Sequence, residues 1–272
     1  GMWSVYFGGL FQFSYMYASG DNLSSHGGFA VDENRIDFGG TIFDPAMTFY
    51  IQTQGATGSL TVLDAYVDWM FCDFAHLTAG QFKTPSGRHF LTDQSDRSFG
   101  RLNTVLAGTA FLPGATVGAG ALNATGQSLH TRRDTGVMLH NVADIDDNAD
   151  GMKLEWALGL WNGGATGGPA NTNTAWGNAQ AETWLMWGFR LGFYPMGYIP
   201  YVEGDWAVSQ DPKFGIAGSY FSDSTQAVAG KNPNVSRWEI DAVLCWMGLY
   251  LTGEYHSITA DKNFTGANDL TD

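Results

Sequence analysis

Charged side chains that return at every second position of short extended segments are the residues here whose spacing could carry chemistry. Alternate residues of a strand share a face. On that rule Arg35, Lys83, Lys153, Arg190 and Arg237 fall on the wet face, together with Asp37, Asp64, Asp68, Glu155, Glu239, Asp241 and Glu254. Charges of both signs suit a water-filled interior, where they stay hydrated and where rings of them set ion selectivity. The plainer expectation for most of them is pairing across neighbouring strands.

Other constellations are weaker. Asp144, Asp146, Asn148 and Asp150, with Glu155, have the ligand spacing of a calcium loop. Ala149 stands where that loop's turn requires Gly, and no helices flank it, so a solvated turn is expected. His26, His76, His89, His130, His140 and His256 show no metal-ligand spacing. No nucleophile elbow, phosphate loop or dinucleotide fingerprint occurs, so neither a cofactor nor catalysis is expected. A barrel hydrolase pairing a Ser with His140 or His256 is the enzymatic alternative. A net charge of -14 excludes a nucleic-acid binder, which needs a basic footprint.

The elements that must position these side chains are strands. From Leu63 to Trp69, Leu63, Ala65, Val67 and Trp69 alternate with Asp64, Tyr66 and Asp68. One face is fit for hydrocarbon, the other for water. A short Cys72–Ala75 break follows, then a second run that puts Gln81 and Lys83 on a common face before Pro85 and Gly87 end it. The same rhythm continues in Val5–Tyr17, Arg35–Ile42, Thr48–Gln54, Asp134–His140, Lys153–Leu160, Leu185–Phe193, Phe214–Phe221, Arg237–Leu244 and Leu249–His256. That predicts about eleven strands, nearly all long enough to cross a bilayer when tilted. Ser19–Gly28, Ser86–Thr131 and Gly163–Gln180 read as loops, and Tyr198–Pro212 as irregular. Only 15% of residues are charged and 14% are aromatic, and no apolar run reaches the roughly 18 residues of a spanning helix. A membrane protein of this composition spans as a closed barrel, the one sheet that satisfies its backbone in lipid. Cys72 and Cys245 sit beside short turns on strands far apart in sequence, so two free thiols are expected.

At Leu63–Arg88 the chain resembles the phosphate-selective porin O and P family of bacterial outer-membrane channels. The resemblance rests on Leu-Asp-Ala-Tyr-Val-Asp at 63–68 and Gly-Gln-Phe-Lys-Thr-Pro-Ser-Gly-Arg at 80–88. It continues in order through Arg133–Val137, Leu154–Gly163, Tyr201–Asp205 and Gly253–Tyr255. It implies one antiparallel up-and-down β-barrel domain over residues 1–272, sixteen-stranded in the family, with the last strands beyond the given sequence. It also implies a homotrimer in outer-membrane lipid that passes small ions and solutes, anions or phosphate among them. Lys83 matches the family's motif lysine and Arg88 its arginine. Arg97 and Arg101 lie in the corresponding long loop, 86–131, which in the family folds into the barrel and narrows the pore. With Asp64, Asp68 and Arg190 they make up the expected constriction. Selecting phosphate takes several converging Arg and Lys donors, and here 13 basic residues face 27 acidic ones. The composition therefore points to a general small-solute pore. The alternatives are a secreted β-sandwich that binds glycans through exposed Trp and Tyr, and a barrel that serves as an envelope scaffold or anchor.

Overall fold

Residues that alternate apolar with polar settle one face of a pleated strand on hydrocarbon and the other on the interior, and here they do so repeatedly. The computed structural model describes residues 3–20, 23–56, 59–72, 74–97, 133–141, 151–163, 185–223, 235–260 and 270–271. These form one twelve-stranded antiparallel sheet in which each strand pairs with its sequence neighbours. The strands are β1 (Ser4–Gly20), β2 (Leu23–Ile42), β3 (Asp44–Ala56), β4 (Ser59–Cys72), β5 (Ala75–Lys83) and β6 (Arg133–His140). They continue as β7 (Lys153–Trp161), β8 (Met186–Tyr194), β9 (Lys213–Asp223), β10 (Val235–Trp246), β11 (Leu249–Ala260) and β12 (Leu270–Thr271). A one-turn helix, α1 (Arg88–Leu91), and a 3-10 turn at Gln94–Asp96 follow β5. Among the described residues no helix is long and apolar enough to cross a membrane.

The alternation holds most cleanly on β7, where Leu154, Leu158 and Leu160 are exposed while Glu155, Ala157 and Trp161 are buried. On β8, Trp187, Leu191 and Phe193 are exposed, and Arg190 is buried. The inner face carries two apolar clusters. Phe82, Trp161, Met186 and Phe221 pack together with Tyr66 and Met138, and Tyr194, Tyr198, Ile199, Val243 and Cys245 with Tyr250. Both cysteines are free.

Three sequence expectations are corrected. Ser19–Gly28 is mostly strand: the β1–β2 ladder pairs Tyr15 with Phe29 and Gly20 with Leu23. Leu63 does not face outward. The β3–β4 register steps from Gln52↔Asp64 to Thr53↔Val62, so Leu63 is the extra residue of a bulge, and it is fully buried. On β5 the inward set is His76, Thr78 and Phe82, while Gln81 turns its amide onto the carbonyls of Val62 and Leu63 at 2.9 and 2.8 Å. Gly80, at φ 135°, lets β5 press so close to β4 that a Cβ there would stand 2.3 Å from the Ala65 oxygen. Leu270–Thr271 adds a twelfth strand to the eleven expected.

Candidate functional site

The connection after β5 and the connection between β8 and β9 leave the sheet at opposite rims, because an odd number of antiparallel strands ends where an even number begins. Both turn inward and meet. Gly87, at φ 133°, starts α1 against β10 and β11, where a Cβ would touch the Glu239 carboxyl and the His256 ring at 3.4 Å. The buried Arg88 then reaches both β11 and the segment 195–212. Its Nε donates to the Tyr250 hydroxyl at 3.2 Å, and its Nη2 donates to the Ile199 carbonyl at 3.0 Å and to the Pro200 carbonyl. The His89 amide donates to Glu254, and the Glu203 amide donates to the Asp96 carbonyl at 2.8 Å. His89 Nδ1 lies 2.8 Å from Glu203 Oε1. Burial and then the neighbouring Arg97 guanidinium hold this imidazole below its usual value, against the pull of Glu203 and Glu254.

The constriction residues expected from sequence fall into different roles here. Lys83 reaches in from the end of β5, and its Nζ donates to the carbonyls of Leu91 and Thr92 at 2.9 and 3.3 Å and to Asp93 Oδ1 at 2.5 Å. An ammonium has three hydrogens, and these three acceptors match them. Arg97 donates from Nη2 to the carbonyls of His89 and Thr92 at 3.1 and 3.0 Å, tying the same turn from its far side. Arg190 is fully buried. Its Nε donates to Glu155 at 2.8 Å, its Nη1 to Glu239 at 3.3 Å, and its Nη2 lies 2.7 Å from Asp241. Tyr201 of the inward segment covers it, with the ring centroid 5.8 Å from the guanidinium carbon. The expected cross-strand pairing is present at Arg190–Glu155, across β8 and β7, and at Arg237–Asp223, 3.7 Å apart across β10 and β9. Arg101 and the calcium-type spacing Asp144, Asp146, Asn148 and Asp150 lie outside the described residues.

Asp64 and Asp68 face a cavity of about 340 Å³ between the inner wall of β3–β6 and the turn held by Lys83. Arg133 donates from Nε to both oxygens of Asp64 at 2.9 Å. Asp68 is held by the Thr78 hydroxyl at 2.6 Å, by His76 Nδ1 at 2.7 Å and by His140 Nε2 at 3.1 Å. The two imidazoles stack with centroids 5.4 Å apart. Thr78 Oγ1 is 2.7 Å from the same Nε2 of His140 that Asp68 approaches. A catalytic triad needs its carboxylate on the opposite ring nitrogen from the hydroxyl, so Thr78, His140 and Asp68 do not have triad geometry. Sequence reading missed the cluster, and the signal lay in the register. Asp68 pairs with Thr78, and His76 pairs with His140, which brings residues from three strands to two adjacent rows of the inner face.

Residues 5–156 match the family described as phosphate-selective porin O and P. Two solved structures are similar in fold. The OmpF porin of Salmonella typhi in complex with daunomycin is 12% identical at a TM-score of 0.41, and the alignment covers 99% of this chain and 82% of that one. OmpT, an outer-membrane protein of Vibrio cholerae folded in vitro, is 11% identical at a TM-score of 0.37, with 100% and 80% covered. No curated protein matches. With more than half of its 272 residues matched in sequence and its strands laid out as a single antiparallel meander, the chain belongs to the phosphate-selective porin O and P family and is an outer-membrane porin, not an enzyme.

Proposed function

We propose that this porin passes small hydrophilic solutes and ions by passive diffusion and has no preference for phosphate or other anions. One observation carries the reading. The motif lysine, Lys83, satisfies all three of its donors on Leu91, Thr92 and Asp93 and keeps none for a passing anion. Two more of the expected cations are engaged within the protein, Arg88 by backbone carbonyls and Arg190 by carboxylates. They hold the inward segments in place, and the segment from Ser86 onward sets the constriction by bridging β5 to β11. By family membership three copies associate in outer-membrane lipid, which chemical cross-linking of the detergent-purified protein tests.

Single-channel conductance in planar bilayers tests the selectivity. Stepwise currents with an unselective or cation-biased reversal potential, unchanged by added phosphate, are expected. An anion-biased reversal potential with phosphate block would overturn the reading.

A further inference from the structure

The cavity between β3–β6 and the Lys83 turn has a lining that none of the porin's ion chemistry uses. Three aromatic residues line it, Tyr50 on β3, Tyr66 on β4 and Phe82 on β5, with centroids 5.7 Å apart and rings tilted for the first pair, and 6.1 Å apart and edge-to-face for the second. Phe82 is buried against Trp161, but Tyr50 and Tyr66 are only half-buried, and ring surface facing a wet interior is costly to leave uncovered. Around them stand the hydroxyls of Thr48 and Thr78 and the carboxylates of Asp64 and Asp68. The Tyr50 oxygen accepts from the Gln52 amide at 2.8 Å, which leaves its own hydrogen as a donor.

The charges at the cavity are all paired within the protein. Asp64 is held by Arg133, Asp68 by His76 and His140, and Lys83 by Asp93. An anion would find no free ammonium, and three carboxylates repel it. An organic cation would find Asp64 paired with Arg133 and the oxygens of Asp68 already accepting from Thr78, His76 and His140. What the lining still offers is ring faces, hydroxyls and the remaining lone pairs of paired carboxylates. A neutral polyol takes that combination: the C–H face of a pyranose lies on the rings while its hydroxyls bond to the oxygens. The volume, about 340 Å³, falls within the ~300–1,000 Å³ of small-molecule sites. We infer that this cavity is a sugar subsite of the pore, with Tyr50 and Tyr66 supplying its ring surface. The inference rests on the chain being a diffusion pore.

The test is current interruption in planar bilayers by maltose, inorganic phosphate and the diamine putrescine, applied one at a time to the wild type, Y66F, Y66A and Y50A. Maltose is expected to interrupt the wild-type and Y66F currents in a saturable way. In Y66A and Y50A the concentration needed should rise about tenfold, the loss of one stacking partner. Y50A stands in if Y66A fails to assemble. Block by putrescine without block by maltose would overturn the sugar subsite and leave the diffusion pore standing, whereas block by phosphate without block by maltose would overturn the subsite and the absence of anion preference together. Maltose block unchanged in both alanine variants would overturn it as well. The absence of any conductance steps would overturn the pore reading itself, and the subsite with it.

Discussion

Arg88 and Tyr250, which are 162 residues apart in sequence, meet across the interior, where the guanidinium Nε donates to the phenol oxygen at 3.2 Å. The same guanidinium holds the Ile199 and Pro200 carbonyls of the segment that enters from the other rim. One side chain therefore ties both inward segments to the wall. Replacing it leaves buried carbonyls without donors, at about 1–3 kcal/mol each. R88A is expected to assemble with larger and noisier conductance steps than the wild type. Unaltered step size and noise in planar bilayers would show that the segments hold without it.

Lys83 is the residue that a selectivity argument would choose, and its geometry predicts the opposite of a selectivity phenotype. In K83M the Leu91 carbonyl and Asp93 lose the ammonium, and the Thr92 carbonyl keeps only Arg97. The turn should loosen, and open-channel noise should rise. The reversal potential in a salt gradient should stay where it was. A clear shift toward cations would mean that the ammonium faces the solute path after all.

What the sequence shows of this molecule follows from how far each feature reaches along the chain. Alternation is local, so Leu154, Leu158 and Arg190 are assigned to the correct faces without a structure. A bulge breaks that local rule by one residue, and this puts Leu63 on the face opposite to the one its alternation assigns. The Asp68, His76 and His140 cluster needs the register of two strand pairs, which the sequence does not state. The tie from Arg88 to Tyr250 depends on the path of two irregular segments, about which alternation says nothing. Motif resemblance marked Lys83 and Arg88 as significant, but it could not say whether their donors point at solute or at backbone.

Leu158 sits on the exposed face at the middle of β7, directly after the buried Ala157. If that face meets hydrocarbon, a charge there costs about 2–4 kcal/mol near the bilayer midplane. L158R should therefore lower the yield of folded protein in lipid vesicles and shift its unfolding in urea to lower concentration, whereas L158I should do neither. Equal stability of L158R and wild type would place this face in water, as the β-sandwich alternative requires.

Asp205 governs the turn at the other rim. Its carboxylate accepts from the Ser209 amide and hydroxyl and from the Gly248 amide, 2.8–3.0 Å away, and so ties the segment 195–212 to the β10–β11 turn. Burial pushes this carboxyl up, but the hydrogen bonds from Ser209 and Gly248, with Lys213 nearby, outweigh burial and hold it below the usual range. A carboxyl that is more acidic folded than unfolded stabilises the fold above its unfolded value, about 3.9, and loses that contribution as pH falls through the lower folded value. The turn should thus be well ordered at neutral pH and loosen only in acid. Hydrogen exchange of the Gly248 and Ser209 amides, corrected for the intrinsic pH dependence, should show protection above about pH 4 that falls away below it. In D205A the protection should be low throughout and insensitive to pH. Equal protection in wild type and D205A at neutral pH would mean that the turn is held by the backbone bond from Met247 to the Ser209 carbonyl, 2.8 Å long, and not by the carboxylate.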